Sequence, residues 1–326
     1  MLCLRSSESG ATAMIAAKFS EVFSGKGAKR NEAEVLLKTK FPSAKWYSST
    51  AILDISEKEA LTMPGICEFG EVTITKFDMD EISKAAEKYA EKLFWLNVIR
   101  KGEHKLTSLD VAKQIGESLE KKGLKASSRG TIINIEIHND TVLVYKRTEG
   151  PGGLPSGLLG KVIVIWENNY QSQLALLKVA SRGFTPLVLC PKGSNPCCGE
   201  KIEYNFQNAF ENAGFSLKNM RGPLLKLFTY KLAKHLKDTI GAWFIISPEI
   251  YGVGLEGDPK LLKNIESLAN TTIIRPLAFE TKLNVIKQAK KFGFELKSTK
   301  SEWRRFKISE LEQEWITLEF EKLLKK

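Results

Sequence analysis

No uncharged apolar run in the sequence reaches 18 residues, so nothing in it reads as a membrane-spanning helix. The opening stretch, "MLCLRSSESGATAMIAAKFSEV", lacks a continuous apolar core and makes a poor secretion signal. Met14 is as good a start as Met1, and residues 1–13 read as a disordered tail. Cysteines are few. Cys3, Cys67, Cys190, Cys197 and Cys198 form no paired framework, which fits a reducing cytoplasm. There is no internal repeat and no long low-complexity tract. What remains is a chain of 326 residues, 43% hydrophobic and 27% charged. That is the composition of a soluble globular protein with room for two or three domains.

The net charge of +11 is unevenly spread. Residues 1–150 carry 23 Lys and Arg against 21 Asp and Glu; residues 151–326 carry 26 against 17. An excess of that kind favours a polyanionic partner through counterion release. It is equally what solvated faces look like in a lysine-rich chain.

The clearest break is "EGPGGLPSGLLG", Glu149 to Gly160, where five glycines and two prolines fall within twelve residues. Neither helix nor strand tolerates that density, so a domain junction is expected there. Before it, the elements are short and mixed. "MIAAKFSEVF" and "AILDIS" read as strands around the helix "KRNEAEVLLKTKF", and "EVTITKF" as a strand before the amphipathic helix "DMDEISKAAEKYAEKL". "FWLNVIRK" is a strand. "TSLDVAKQIGESLEKKG" is a helix with a capping box from Thr107 and Asp110. "TIINIEIHNDTVLVYKR" is a hairpin turning at His138-Asn139-Asp140. After the junction strands and helices alternate, as in "KVIVIW", "SQLALLKVASRG" and "TPLVLC". The expected architecture is therefore an α+β half followed by a doubly wound α/β domain with a mostly parallel sheet.

In such a domain the turn after the first strand usually cradles phosphate and is rich in glycine. Here it is Glu167-Asn168-Asn169-Tyr170-Gln171-Ser172, with no glycine and one carboxylate. In the first half, Arg100, Lys101, His104 and Lys105 lie on a loop that enters a helix, with Ser108 and its neighbouring amides at the helix N-terminus. Cations beside free backbone donors suit phosphate, though an ordinary solvated loop has the same look. Cys190, Cys197 and Cys198 could form a thiol or metal cluster, but adjacent cysteines lack the spacer of tetrahedral sites and no histidine is near. Buried, inert cysteines at a strand end are the default. In "GPLLKLFTYKLAKHLKD", Leu225, Phe228, Leu232 and Leu236 recur at helical spacing and should face the core. That leaves Lys226, Lys234, His235 and Lys237 to solvent or RNA backbone. "SEWRRFK", with Trp303, Arg304, Arg305 and Phe306, suits base stacking or packing of the last helix equally.

"TMPGICEFGEV", "RKGEHKLTSLDVAKQIG", "TIINIEIHNDTVLVYKRTEGPGGLPSG" and "TTIIRPLAFETKLNVIKQAKKFG" follow one another in an order that resembles the tRNA 4-thiouridine synthetases, the tRNA sulfurtransferases also linked to thiamine biosynthesis. The resemblance runs from Met14 to about Gly293. It implies a ferredoxin-like segment at 14–59, a THUMP RNA-binding domain at 60–150, a glycine-rich junction at 151–160 and a PP-loop ATP pyrophosphatase-like domain with a C-terminal helix at 161–326. It also implies RNA contacts from Arg100, Lys101, His104, Lys105 and Ser108.

Two departures bear on activity. The family's loop reads Ser-Gly-Gly-x-Asp-Ser; residues 167–172 keep only the last serine. Glu167 sets a negative charge near the anion site, and Gln171 replaces the aspartate that could help hold Mg²⁺. Nor is there a cysteine in "FELKSTKSEWRRFKISEL", where the family's sulfur-transfer cysteine lies, and without a thiol no persulfide forms. In "IISPE", Pro248 stands where the family usually has glycine.

The expectation is a cytoplasmic tRNA-binding relative of these enzymes with a degenerate nucleotide loop. It has no metal, and needs no cofactor unless the loop still takes ATP and Mg²⁺. A sulfur-transfer or modification partner protein and a homodimer stay open. So do two alternatives: a divergent sulfurtransferase that adenylates uridine, and a protein-interaction scaffold.

Overall fold

The computed structural model describes residues 14–19, 28–103, 105–205, 221–253 and 257–296. The expected tail at 1–13, His104, "SEWRRFK" and the last helix lie outside them. The chain forms two compact units, Met1–Pro155 and Ser156–Lys326.

In the first unit the order is β1 (Ile15–Lys18), α1 (Ala28–Lys40), β2 (Lys45–Tyr47), β3 (Thr50–Leu53), α2 (Glu57–Thr62), β4 (Glu68–Lys76), α3 (Met79–Tyr89), β5 (Leu93–Lys101), α4 (Ser108–Glu120), β6 (Lys125–Ala126), β7 (Thr131–His138), β8 (Thr141–Lys146) and β9 (Thr148–Glu149). The strands make one sheet in the order β2-β3-β1-β4-β8-β7-β5-β6, with β9 also on β4. Only β5 pairs in parallel, with β6 and β7. Alternation along β7 explains its two faces. Ile133, Ile135 and Ile137 pack under Ile82 of α3 and Val111, Ile115 and Leu119 of α4. Asn134, Glu136 and His138 point the other way. There Glu136 is almost fully buried, accepting from Thr50 and Tyr145 at 2.8 Å each and facing the Lys18 ammonium at 3.4 Å. Four strands, β1, β3, β7 and β8, thus contribute to a single buried polar cluster.

The second unit runs β10 (Lys161–Ile165), α5 (Tyr170–Ala180), β11 (Thr185–Pro191), β12 (Glu200–Tyr204), α6 (Arg221–Ile240), β13 (Ile245–Ile246), α7 (Pro259–Ala269), β14 (Ile273–Ile274) and α8 (Lys282–Lys291). Its five strands are parallel in the order β12-β11-β10-β13-β14. Near-continuous apolar strands are what burial on both faces requires. Ile163, Ile165, Leu187, Leu189 and Ile245 meet α6 and α7. Val162, Val164, Val188, Cys190 and Ile246 meet Leu176 and Val179 of α5 on the opposite face. The unit is a doubly wound α/β fold and follows the α+β one in the chain. Glycine is needed in the linking segment because Gly152 and Gly153 take φ of +66° and +73°, which side chains resist. No helix among the described residues is long and apolar enough to cross a membrane.

α6 departs from the helix read from its leucines. Phe228, Leu232 and Leu236 do pack toward the sheet, but Leu225 is 36% exposed and Lys226 is buried at 5%. At the start of the helix the inward face is Leu224, Leu227 and Phe228, and Lys226 turns in with it.

Candidate functional site

All strands of the second sheet are parallel, so the segments following β10, β13 and β14 emerge at one edge. In open α/β sheets ligands bind at this carboxyl edge, where the winding reverses. The segment after β10 is the turn 167–172. Asn168 adopts φ +55°, the left-handed conformation that asparagine tolerates better than most residues. Asn169 caps α5: its Oδ1 accepts from the Ser172 amide at 2.8 Å and from the Ser172 hydroxyl at 3.0 Å. The same Ser172 Oγ accepts from the Glu167 amide at 2.9 Å. The amides of Ser172 and Glu167 are thus met by the turn's own side chains. Tyr170, Asn169 and Ser172 are buried, and burial raises the Tyr170 phenol.

The Glu167 carboxylate accepts from Asn169 Nδ2 at 3.5 Å inside the turn and also reaches beyond it. It pairs with the Lys226 ammonium, which also pairs with Glu249, three residues past β13. Glu249 accepts from the Ser247 hydroxyl at 2.7 Å, from Tyr230 at 3.0 Å and from Arg275 Nε at 3.0 Å. Arg275 follows β14 directly. It also donates to the Tyr230 hydroxyl at 2.9 Å and pairs with Glu266 of α7. Burial pushes the Glu249 carboxyl up, but Lys226 and Arg275 beside it outweigh this and hold it at about 2. Burial drives the Tyr230 phenol well up, reinforced by the Glu249 charge. Three carboxylates thus share two cations, and the cluster carries a net negative charge. A buried lysine needs such partners, because leaving its charge alone in the interior is expensive. That requirement sets the phase of α6.

Of this network the sequence marks Glu167, in the loop, and Lys226, as a cation for solvent or RNA backbone. The signal for the rest was positional: Glu167, Glu249 and Arg275 each stand one to three residues beyond a parallel strand.

In the first unit, Arg100 and Lys101 close β5. The Arg100 guanidinium donates to the Leu106 carbonyl, and the Lys101 ammonium to Ser48 Oγ in the β2–β3 turn. Lys105 is exposed, and Ser108 is the first residue of α4. The expected capping box forms. Thr107 Oγ1 accepts from the Asp110 amide at 3.1 Å, and the Asp110 carboxylate accepts from the Thr107 amide at 2.8 Å. The Thr107 hydroxyl and amide hold the Asp110 carboxyl below its ordinary range. The helix start that Ser108 opens is therefore already dressed by a carboxylate.

Cys190 is fully buried in β11, and Cys197 Sγ lies 4.0 Å from the Gln173 carbonyl of α5. The Cys198 thiol and burial together raise Cys197 well above the usual thiol range. Among the described residues no three ligating side chains stand together in a metal-binding group.

Fold and site define a two-unit protein whose α/β unit carries an internal ion network at the carboxyl edge of a parallel sheet. No protein-family model matches the chain. It is 29% identical over 257 residues to a probable tRNA sulfurtransferase of Sulfurisphaera tokodaii, covering 70% of each chain. A probable tRNA sulfurtransferase of Saccharolobus islandicus is 37% identical over 117 residues, 34% of this chain and 31% of the relative. Among solved structures, a 4-thiouridine synthetase–RNA complex with bound ATP aligns with a TM-score of 0.59 at 18% identity, over 86% of this chain and 85% of that one. PH1313 from Pyrococcus horikoshii aligns with a TM-score of 0.52 at 15% identity, over 86% and 99%. At those identities the structural likeness speaks for the fold. By sequence, the chain is similar to proteins named probable tRNA sulfurtransferase.

Proposed function

We propose that the protein binds tRNA in the setting of tRNA thio-modification, and that its α/β unit does not run ATP pyrophosphatase chemistry at residues 167–172. In this reading residues 14–59 are the ferredoxin-like segment, residues 60–150 the THUMP domain and residues 161–326 the PP-loop-like domain. RNA contact falls to the first unit, through Arg100, Lys101, His104, Lys105 and Ser108. The partner is inferred from the homologues' name and from the RNA held in the aligned synthetase complex.

The observation that carries the reading is the pairing of Glu167 with Lys226. A triphosphate entering the loop would meet a carboxylate where the family has a serine. It would add charge to a cluster that is already net negative, and find the Ser172 and Glu167 amides taken by the side chains of Asn169 and Ser172. At about 4 Å, one like-charge contact costs roughly 1 kcal/mol in water and about 4 kcal/mol near a protein surface. These residues do not fit ATP with Mg²⁺. Calorimetry with Mg-ATP is expected to give no saturable heat below millimolar nucleotide, and a micromolar dissociation constant overturns the reading. The homologues' name favours a second reading, a divergent sulfurtransferase that adenylates uridine, and the same titration decides between the two.

A further inference from the structure

The buried network at the carboxyl edge has an aromatic rim that the reading above does not use. Phe279, on the turn between β14 and α8, is 94% exposed. Its backbone is nevertheless well held. The Tyr251 amide donates to the Ala278 carbonyl and the Glu280 amide to the Leu277 carbonyl, each at 3.0 Å. The Glu280 carboxylate takes a 2.9 Å bond from Lys178 of α5, and Thr281 then caps α8. The Phe279 ring lies edge-on to Tyr251, with centroids 5.8 Å apart, and the Arg275 guanidinium sits 5.8 Å from the Tyr251 centroid. A ring fixed in water by an ordered backbone forgoes the gain from burial, and a ligand that covers it recovers that gain.

The adjoining helix supplies the charge. α8 reads "KLNVIKQAKK", with four lysines and no carboxylate. Val285 and Ala289 are buried, and on the opposite face Leu283, Lys287 and Lys290, at spacings of four and three, are exposed. Cations beside an open aromatic face match a polyanion that presents flat rings, which describes unpaired RNA. A duplex hides those faces in its stack.

We infer that Phe279 and α8 form an RNA-contact surface of the α/β unit, where Phe279 stacks on an unpaired nucleobase and Lys287 and Lys290 meet the flanking phosphates. The inference rests on the tRNA reading above.

The test is fluorescence anisotropy of the full chain with three probes: folded tRNA, a labelled oligouridine and a blunt RNA duplex. Phe279→Ala should weaken oligouridine and tRNA binding about fivefold or more and leave the duplex unchanged, and Phe279→Trp should restore the affinity. Lys287→Ala with Lys290→Ala should flatten the salt slope by up to about two units. If the parent binds tRNA but Phe279→Ala binds it equally well, the surface is wrong and the ring serves something else, such as a protein partner. A parent that binds tRNA but not oligouridine overturns the surface too. A parent that binds neither overturns the tRNA reading itself.

Discussion

Lys226 shows how one side chain can decide a helix. The leucine spacing of α6 left it on the solvated side; in the folded unit it is 5% exposed between Glu167 and Glu249. Removing it takes the lysine from Glu167 and leaves the buried Glu249 with Arg275 as its remaining cation in the network. Lys226→Met should therefore destabilise the chain by about 3–5 kcal/mol, the usual cost of breaking a buried pair from one side. Glu167→Gln keeps the Lys226–Glu249 pair and should cost no more than about 1–2 kcal/mol. Thermal denaturation of both single variants and the double checks this. In the double variant the losses should fall short of additivity, because the two residues share one interaction. Equal, small losses in both single variants would mean that the pair contributes little. The sequence could not show this, since a helical repeat leaves the phase open by a residue at its ends. The carboxylates that fix it sit after β10 and β13, far off in sequence.

At the scale of elements, the local signals served well where they were strong. The capping box of α4, the β7–β8 hairpin with Asn139 at φ +53°, and the β10–α5–β11 unit all stand where the pattern put them. The short pieces β2, α2, β6 and β9 escaped notice, because two to six residues carry too little periodicity to register. The loop between β5 and α4 is where the proposed RNA contacts concentrate. Replacing Lys101 and Lys105 together by alanine should weaken tRNA binding and flatten its salt slope by up to about two units. Glu167→Ala should leave binding unchanged or slightly stronger, since it removes only a negative charge from the other unit. Anisotropy over a range of salt measures both. Loss of binding from the Glu167 change alone, with the lysine pair silent, would take the loop between β5 and α4 out of RNA recognition.

For the whole molecule, each unit is built around one buried carboxylate, Glu136 in the first and Glu249 in the second. Burial alone would raise the Glu136 carboxyl; hydrogen bonds from His138, Thr50 and Tyr145 and the Lys18 charge outweigh it and bring it from 4.5 to about 2. A carboxylate lowered by folding stabilises the native state above its unfolded pKa and loses that contribution as pH falls through the folded one. The loss should therefore fall between about pH 4.5 and pH 2, and for Glu136 be on the order of 3 kcal/mol. Denaturant unfolding followed across that window should show it, and Glu136→Gln should be less stable at neutral pH with a shallower acid limb. An unchanged acid limb in that variant would remove Glu136 from the account. The sequence by itself determined the α+β and α/β classes, the glycine-rich link and the resemblance to tRNA sulfurtransferases, because periodicity, turn chemistry and motif order are local. Only the tertiary structure decided that Glu167 reaches beyond its turn to Lys226, and that Glu249 and Arg275 close the network. Those partners meet because parallel strands bring the residues that follow them to one edge, and burial then requires every charge there to find another.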